Sequence, residues 1–293
     1  MKYRSGAAFR QALEQRLLMR SRDRGTSLVR LRKAVVFDRL LVRLAIAAPD
    51  RWVLKGALAL DFRLGERTRT TKDMDLVRGD NEAVATSDLI AAQAVDLDDF
   101  FAFDIEKIGA PGEEFEGAAV RYRVRAELGG RRFEEVMVDI GFSDPLKWKP
   151  EPIRGTDLLV FAGIEQIEVP VLRLEQHVAE KVHAYTRTYG QGQRSSRAKD
   201  LVDLVLVKQF MVLDAARLRS ALVGVFEGRR QQGLPDRLPP PPTDWAVPYR
   251  KLAKEVGVDP DLRAGYAEAA AMLDPALADR ATGRWNPEKA SWE

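Results

Sequence analysis

Apolar residues recur at helical spacing in two early stretches, Leu13, Leu17 and Leu18 within 10–19, then Val35, Val36, Leu40, Leu41 and Leu44 within 28–46. The pattern predicts two helices joined around Gly25. A βαβ-like stretch follows: 52–54 extended, a turn at Lys55-Gly56, a short helix over 57–64 and a strand around 74–77. A further helix is predicted between 81 and 94, and a strand over 100–108. From 117 to 128, Val120, Tyr122, Val124, Ala126 and Leu128 alternate with Arg121, Arg123, Arg125 and Glu127. A period of two puts one set on a buried face and the other in water, which predicts a half-buried strand. Gly129-Gly130 then turns the chain into a partner strand over 132–140.

Beyond Leu172 the pattern turns helical, over 172–189, 195–210 and 213–229, with the turn-rich GQGQRSS (190–196) expected as a mobile loop. Residues 233–243 contain four consecutive prolines, which lack N–H donors and favour an extended form. They read as a strap between helices rather than as bait for a proline-recognising module. A helical tail is expected over 249–281, with the last dozen residues frayed. The fold class is α+β with a mixed sheet: basic N-terminal helices (1–48) packed on a core (49–170), followed by a helical C-terminal domain (171–293).

With 293 residues, 45% hydrophobic and 31% charged, the chain has the composition of an ordered globular protein. No apolar run approaches the roughly 20 residues needed to span a bilayer, and the N-terminus lacks the apolar core of a secretory leader. The expected location is the cytoplasm. The absence of cysteine excludes disulfides, thiolate nucleophiles and cysteine-based metal sites. His177 and His183, the only histidines, are six residues apart, which does not match a helical metal-ligand spacing. The net charge of +3 conceals an asymmetry, because residues 1–43 hold twelve Lys/Arg against three Asp/Glu. Such a segment could track a phosphate backbone, although charge alone slightly favours a solvated helical face.

Three features carry candidate chemistry: Lys55-Gly56 before a short helix, Asp73-Met74-Asp75-Leu76 entering a strand, and Asp139 within Val136 to Ile140 on another strand. Strand residues at i and i+2 share a face, so Asp73 and Asp75 present two carboxylates together, and Asp139 from a neighbouring strand supplies a third. Oxygen donors of this kind suit Mg²⁺, which binds through a few carboxylates plus water and substrate phosphates. A glycine turn feeding a helix N-terminus suits a phosphate. Each feature alone is weak; their order is the signal.

In these features the chain resembles the AbiEii/AbiGii-type nucleotidyltransferase toxins, including MenT-like toxins, of the polymerase-beta-like nucleotidyltransferase superfamily. The resemblance rests on VLKGALAL (Val53 to Leu60), RTTKDMDL (Arg69 to Leu76), VDIGFSDP (Val138 to Pro145), AEKVHAY (Ala179 to Tyr185) and RAKDLVDL (Arg197 to Leu204). It implies a polymerase-beta-like core with metal-binding Asp73, Asp75 and Asp139, and Mg²⁺ or Mn²⁺ as the ion. It further implies catalytic roles for Lys181 and Asp200, with Asp203 an alternative carboxylate, and a nucleotide-binding set of Lys55, Gly56, Thr71, Lys72 and Lys181. Ala57 stands where the family usually has a second small turn residue. The implied activity is transfer of nucleotides from an NTP to RNA, with a tRNA 3′ end as the expected acceptor, blocking translation as the toxin of a toxin–antitoxin pair. Asp139 would help activate the acceptor hydroxyl, the basic N-terminal helices would recruit RNA, and a cognate antitoxin would be a partner.

Two other functions stay open at this level: a nucleotidyltransferase acting on a protein side chain, and a non-catalytic RNA- or partner-binding module. Individual residues have bland readings as well. Lys181 could be a solvated helix lysine, Asp200 an intrahelical partner of Arg197, and Arg121, Arg123 and Arg125 a face paired with Glu134 or Glu135 rather than an RNA guide. Trp52, Trp148 and Trp245 read as core anchors.

Overall fold

The computed structural model describes residues 1–110, 119–143, 149–187, 197–229 and 232–293. The chain forms two compact units, Met1–Glu66 with Thr70–Leu172, and Arg67–Arg69 with Arg173–Glu293.

In the first unit, helix α1 (Gly6–Arg24) starts at Ser5, whose hydroxyl accepts from the Ala8 N–H, and stops at Gly25, where a φ of 67° is left-handed. Phe9, Leu13 and Leu17, each four residues apart, are its buried stripe. Helix α2 (Leu28–Ala47) buries Leu31, Val35, Val36, Leu40 and Leu44. Strand β1 (Val53–Lys55) leads into helix α3 (Gly56–Leu64), then come strand β2 (Asp73–Arg78) and helix α4 (Glu82–Gln93). Strands β3 (Phe101–Gly109), β4 (Ala119–Leu128), β5 (Arg131–Phe142), β6 (Glu151–Arg154) and β7 (Glu168–Val171) complete the unit. Together they form a mixed sheet in the order β3-β4-β5-β2-β1-β7-β6.

The sheet departs from the expected βαβ-like stretch in one respect. Strands β1 and β2 are antiparallel, with Lys55 opposite Asp75, so the chain returns from α3 at the end of the sheet where it left. The parallel partner of β2 is β5, more than fifty residues further on. The alternation in β4 holds: Val120, Tyr122, Val124, Ala126 and Leu128 are all buried, while Arg121, Arg123 and Arg125 are half-buried on the other face. One apolar row, Val171, Leu54, Leu76, Ile140 and Val120, crosses five strands and is almost wholly excluded from water. This row supports the charged row one residue along on the opposite face.

The second unit holds α5 (Leu174–Thr186), α6 (Ala198–Phe210), α7 (Ala215–Arg229), α8 (Ala246–Val256) and α9 (Leu262–Leu277). The tail expected to be helical over 249–281 holds two helices, and Gly257 takes a left-handed φ of 74° that ends α8. The residues expected to fray are instead paired: β8 (Leu213–Asp214), β9 (Arg284–Asn286) and β10 (Ser291–Trp292) form a small sheet around the buried Trp285. The proline strap is extended and anchored. Leu238 is buried, its N–H donates to Asp274, its carbonyl accepts from the Tyr266 hydroxyl, and the Tyr185 hydroxyl donates to the Pro239 carbonyl at 2.8 Å. Trp52 and Trp245 are core residues; Trp148 and the loop 190–196 lie outside the described residues. Among the described residues, no helix is long and apolar enough to cross a membrane.

Candidate active site

The sheet register sets the candidate site of the first unit. Lys55 on β1 faces Asp75 on β2, Asp75 faces Asp139 on β5, and Asp139 faces Arg121 on β4, so four charged residues stand in one row across four strands. Asp73, two residues before Asp75, shares its face, with Met137 opposite. The expected approach of Asp73, Asp75 and Asp139 is therefore built into the backbone.

Gly56 closes the row from the side of α3. Its φ is +68°, a conformation that favours glycine, and a Cβ there would lie 1.9 Å from Oδ2 and 2.6 Å from Cγ of Asp75. Only a residue without a side chain lets the start of α3 come this close to the carboxylate. The first N–H groups of α3 have no intrahelical partner, which gives this end its affinity for anions. Ala57 is buried within the first turn of α3, so its methyl group is accommodated by the core. The Thr71 hydroxyl donates to the Asp73 carbonyl at 3.2 Å and so shapes the approach to β2, while Lys72 is exposed.

Asp139 is 1% exposed and both of its oxygens are taken by Arg121, from Nε at 2.6 Å and from Nη2 at 2.6 Å. The hydrogen bond to Asp139 holds the Arg121 guanidinium more firmly protonated than usual. Partial burial opposes this, and the charges of Asp139, Asp73 and Asp75 add to it. No sequence feature singled out this pair, because it depends on register across β4 and β5. The neighbouring Arg123 and Arg125 pair with acids: with Glu135, as the bland reading had it, at 3.6 Å and 3.5 Å, and more closely with Glu106 and Asp104 on β3, which it had not named.

The donor set of Asp73, Asp75 and Asp139 is of the hard-oxygen type that suits Mg²⁺. As the side chains stand, among the described residues no three such groups are gathered closely enough to hold an ion. Arg121 occupies both oxygens of Asp139. The residues fit a divalent ion by chemistry and register.

In the second unit, Lys181 is buried on α5 and donates to Asp203 at 2.6 Å and to Asp200 at 3.3 Å, both on α6. Asp203 also accepts from Arg69, at 3.1 Å and 3.0 Å, and Arg197 lies 3.4 Å from Asp200. Burial would raise the Asp203 pKa, but Lys181 and Arg69 outweigh it and hold the carboxyl below its ordinary value. The structure thus brings Lys181 together with both candidate carboxylates, and adds Arg69, which sequence reasoning passed over. His177 and His183 are both buried on α5.

The profile described as "Nucleotidyl transferase AbiEii toxin, Type IV TA system" matches residues 39–291. The chain belongs to the AbiEii family. It is accordingly a nucleotidyltransferase of the toxin–antitoxin class, with an NTP as substrate. Among solved structures it is similar to MenT4, a nucleotidyltransferase toxin from Mycobacterium tuberculosis H37Rv, at 20% identity and a TM-score of 0.56, over 92% of this chain and 98% of that one. That likeness supports the AbiEii fold. JHP933 from Helicobacter pylori also matches, at 16% identity and a TM-score of 0.45 over 85% of this chain and 93% of that one. No curated protein matches by sequence.

Proposed function

We propose that this AbiEii protein transfers a nucleotidyl group from an NTP to the 3′ end of an RNA, a tRNA above all, and so stops translation in the cytoplasm until a cognate antitoxin counters it. The observation that carries the proposal is the in-register row of Asp75 and Asp139, with Asp73 on the same face and Gly56 against Asp75. Asp73, Asp75 and Asp139 would hold Mg²⁺ or Mn²⁺. The bound ion supplies Lewis-acid polarisation and neutralises charge on the reacting phosphate.

The chain's own residues do the rest. Asp139, once unclamped, accepts the proton of the acceptor hydroxyl at a carboxylate oxygen as that hydroxyl's oxygen bonds to the α-phosphorus, whose bond to the bridging oxygen of the β-phosphate breaks so that pyrophosphate leaves. Gly56 leaves room for the start of α3 beside the carboxylates, and the α3 N–H groups hold phosphate oxygens. Lys181 has three ammonium donors, of which Asp200 and Asp203 take one each, and we assign the third to a nucleotide phosphate oxygen. In the first unit we assign Lys55, Thr71 and Lys72 to the nucleotide, with Thr71 acting through the backbone at Asp73.

The test is incubation of the purified protein with Mg²⁺, total RNA and each α-³²P-labelled NTP in turn, beside Asp73→Ala. Label in a tRNA-sized band with one NTP, lost in a variant that keeps wild-type circular dichroism, is the expected result. Label entering protein would replace RNA by a side-chain acceptor. An active, folded Asp73→Ala would overturn the site.

A further inference from the structure

Arg121 differs from the other arginines on its strand face. Arg123 is opposite Glu106 on β3 and Arg125 is opposite Asp104, so each meets an acid on its outer side. Arg121 is opposite Gly109, which offers no side chain, and its guanidinium goes inward to Asp139. The fork takes both oxygens at once, the strongest geometry available to an arginine and a carboxylate. Asp139 is buried whereas the Arg121 side chain is 30% exposed, so the arginine has solvent to move into and the aspartate does not.

We propose that Arg121 is the resident counter-cation of the carboxylate site, clamped on Asp139 until a divalent ion competes for that carboxylate, so that the guanidinium sets how readily the site fills. This rests on the metal-binding reading of Asp73, Asp75 and Asp139 given above. With Arg121 in place, an ion has to compete with the guanidinium for both oxygens of Asp139, and with Arg121 released it does not. A cation beside an anionic site opposes a second cation there, and a nearby charge changes such an equilibrium by one or more powers of ten. The clamp keeps the site weak for free ions, and filling is favoured when something else pulls on the guanidinium or adds to the ion's affinity.

The experiment is Mn²⁺ binding to the full chain, followed by the loss of the free-ion electron paramagnetic resonance signal and by the thermal shift the ion produces. The proteins are wild type, Arg121→Gln, Arg121→Lys, Asp73→Asn, Asp139→Asn and the double variant of Arg121→Gln with Asp139→Asn. Arg121→Gln is expected to bind Mn²⁺ about tenfold more tightly than wild type and to gain more thermal stability from it. Asp139→Asn is expected to erase that gain in the double variant. A merely structural Arg121 would lower stability without tightening Mn²⁺. A folded Arg121→Gln with unchanged or weaker affinity overturns the proposal. Should Arg121→Gln not fold, Arg121→Lys, which keeps the charge but loses the fork, must still tighten binding at least about threefold. Failure of the underlying reading has a different signature: Asp73→Asn would bind Mn²⁺ as wild type does in every arm, and the proposal would fall with it.

Discussion

Replacing Gly56 by alanine puts a methyl carbon where Oδ2 of Asp75 lies 1.9 Å away and Cγ 2.6 Å away. Two costs follow, and a second glycine separates them. Gly25, in the same unit, has a φ of +67° against +68° for Gly56, and a Cβ there would meet nothing within 4 Å. Gly25→Ala therefore reports the left-handed backbone alone, about 1–2 kcal/mol. Gly56→Ala carries a comparable backbone cost plus relief of the collision. Asp75 must leave its rotamer or β2 must shift from α3, which adds about 1–3 kcal/mol, for a total of roughly 2–5 kcal/mol.

The assay is hydrogen exchange of peptides covering β1 and β2, which isolates the first unit from the helices of the second, combined with Mn²⁺ affinity. Gly56→Ala should accelerate exchange in 53–64 and 73–78 well beyond Gly25→Ala, and should weaken Mn²⁺ binding about tenfold, because the displaced group is one of the two carboxylates of the row. Gly25→Ala should leave Mn²⁺ binding at the wild-type level. If Gly56→Ala exchanged no faster than Gly25→Ala and bound Mn²⁺ normally, the close approach of α3 to Asp75 would not exist in solution.

Two further substitutions test buried charge. Asp203→Asn removes the carboxylate shared by Lys181 and Arg69 and leaves two cations facing a neutral amide, a loss of about 3–5 kcal/mol. Because the folded-state pKa of Asp203 is lowered, its contribution is present above the unfolded value of about 3.9 and is lost as pH falls through the lower folded value. Urea midpoints between pH 7 and pH 3 should converge for wild type and variant only at the acid end, and parallel curves would contradict the assignment. In the first unit, the buried Arg43 holds the buried Asp99 at 2.7 Å and 3.1 Å and also the carbonyls of Val95 and Phe101. Arg43→Met should cost about 3–5 kcal/mol, while Arg20→Ala, which breaks an open pair with Asp157, should cost under about 1 kcal/mol in the same unfolding series.

Local periodicity made much of this legible. The alternation that placed β4, and the spacing that put Asp73 and Asp75 on one face, depend on residues next to one another in the chain. Register does not: β2 pairs with β5 across more than fifty residues, and nothing near Asp75 in the sequence names Asp139 as its neighbour. The same gap hid the role of Arg121, which the alternation placed on a polar face without saying which acid it would meet. Arg69 was hidden differently, since it belongs by contact to the second unit although its neighbours in sequence lead into β2. Strands β8, β9 and β10, two or three residues each, are too short for any periodic signal.

Charge counted along a sequence is not charge available at a surface, and the N-terminal segment shows the difference. Its twelve basic residues look like a footprint for RNA. In the fold, Arg10 donates to the carbonyls of Leu128, Arg131 and Arg132, and Lys33 donates to that of Glu135. Arg16 stacks over Phe161, and Arg20, Arg30 and Arg32 pair with Asp157, Asp61 and Glu14. Arg39 and Arg43 are buried against Asp38 and Asp99. Among the described residues, Lys2, Arg4, Arg22 and Arg24 are exposed and show no such engagement. Counterion release scales with the cations that reach phosphates, so an RNA strand along this end would meet those four charges rather than twelve. Of the remainder, Arg10 and Lys33 tie α1 and α2 to carbonyls of β4 and β5, and Arg43 ties α2 to the Phe101 carbonyl of β3. The other partners, Glu14, Asp38, Asp61, Asp157 and Phe161, lie outside the strands, so three of the twelve basic residues fix the helices on the sheet that carries Asp75 and Asp139.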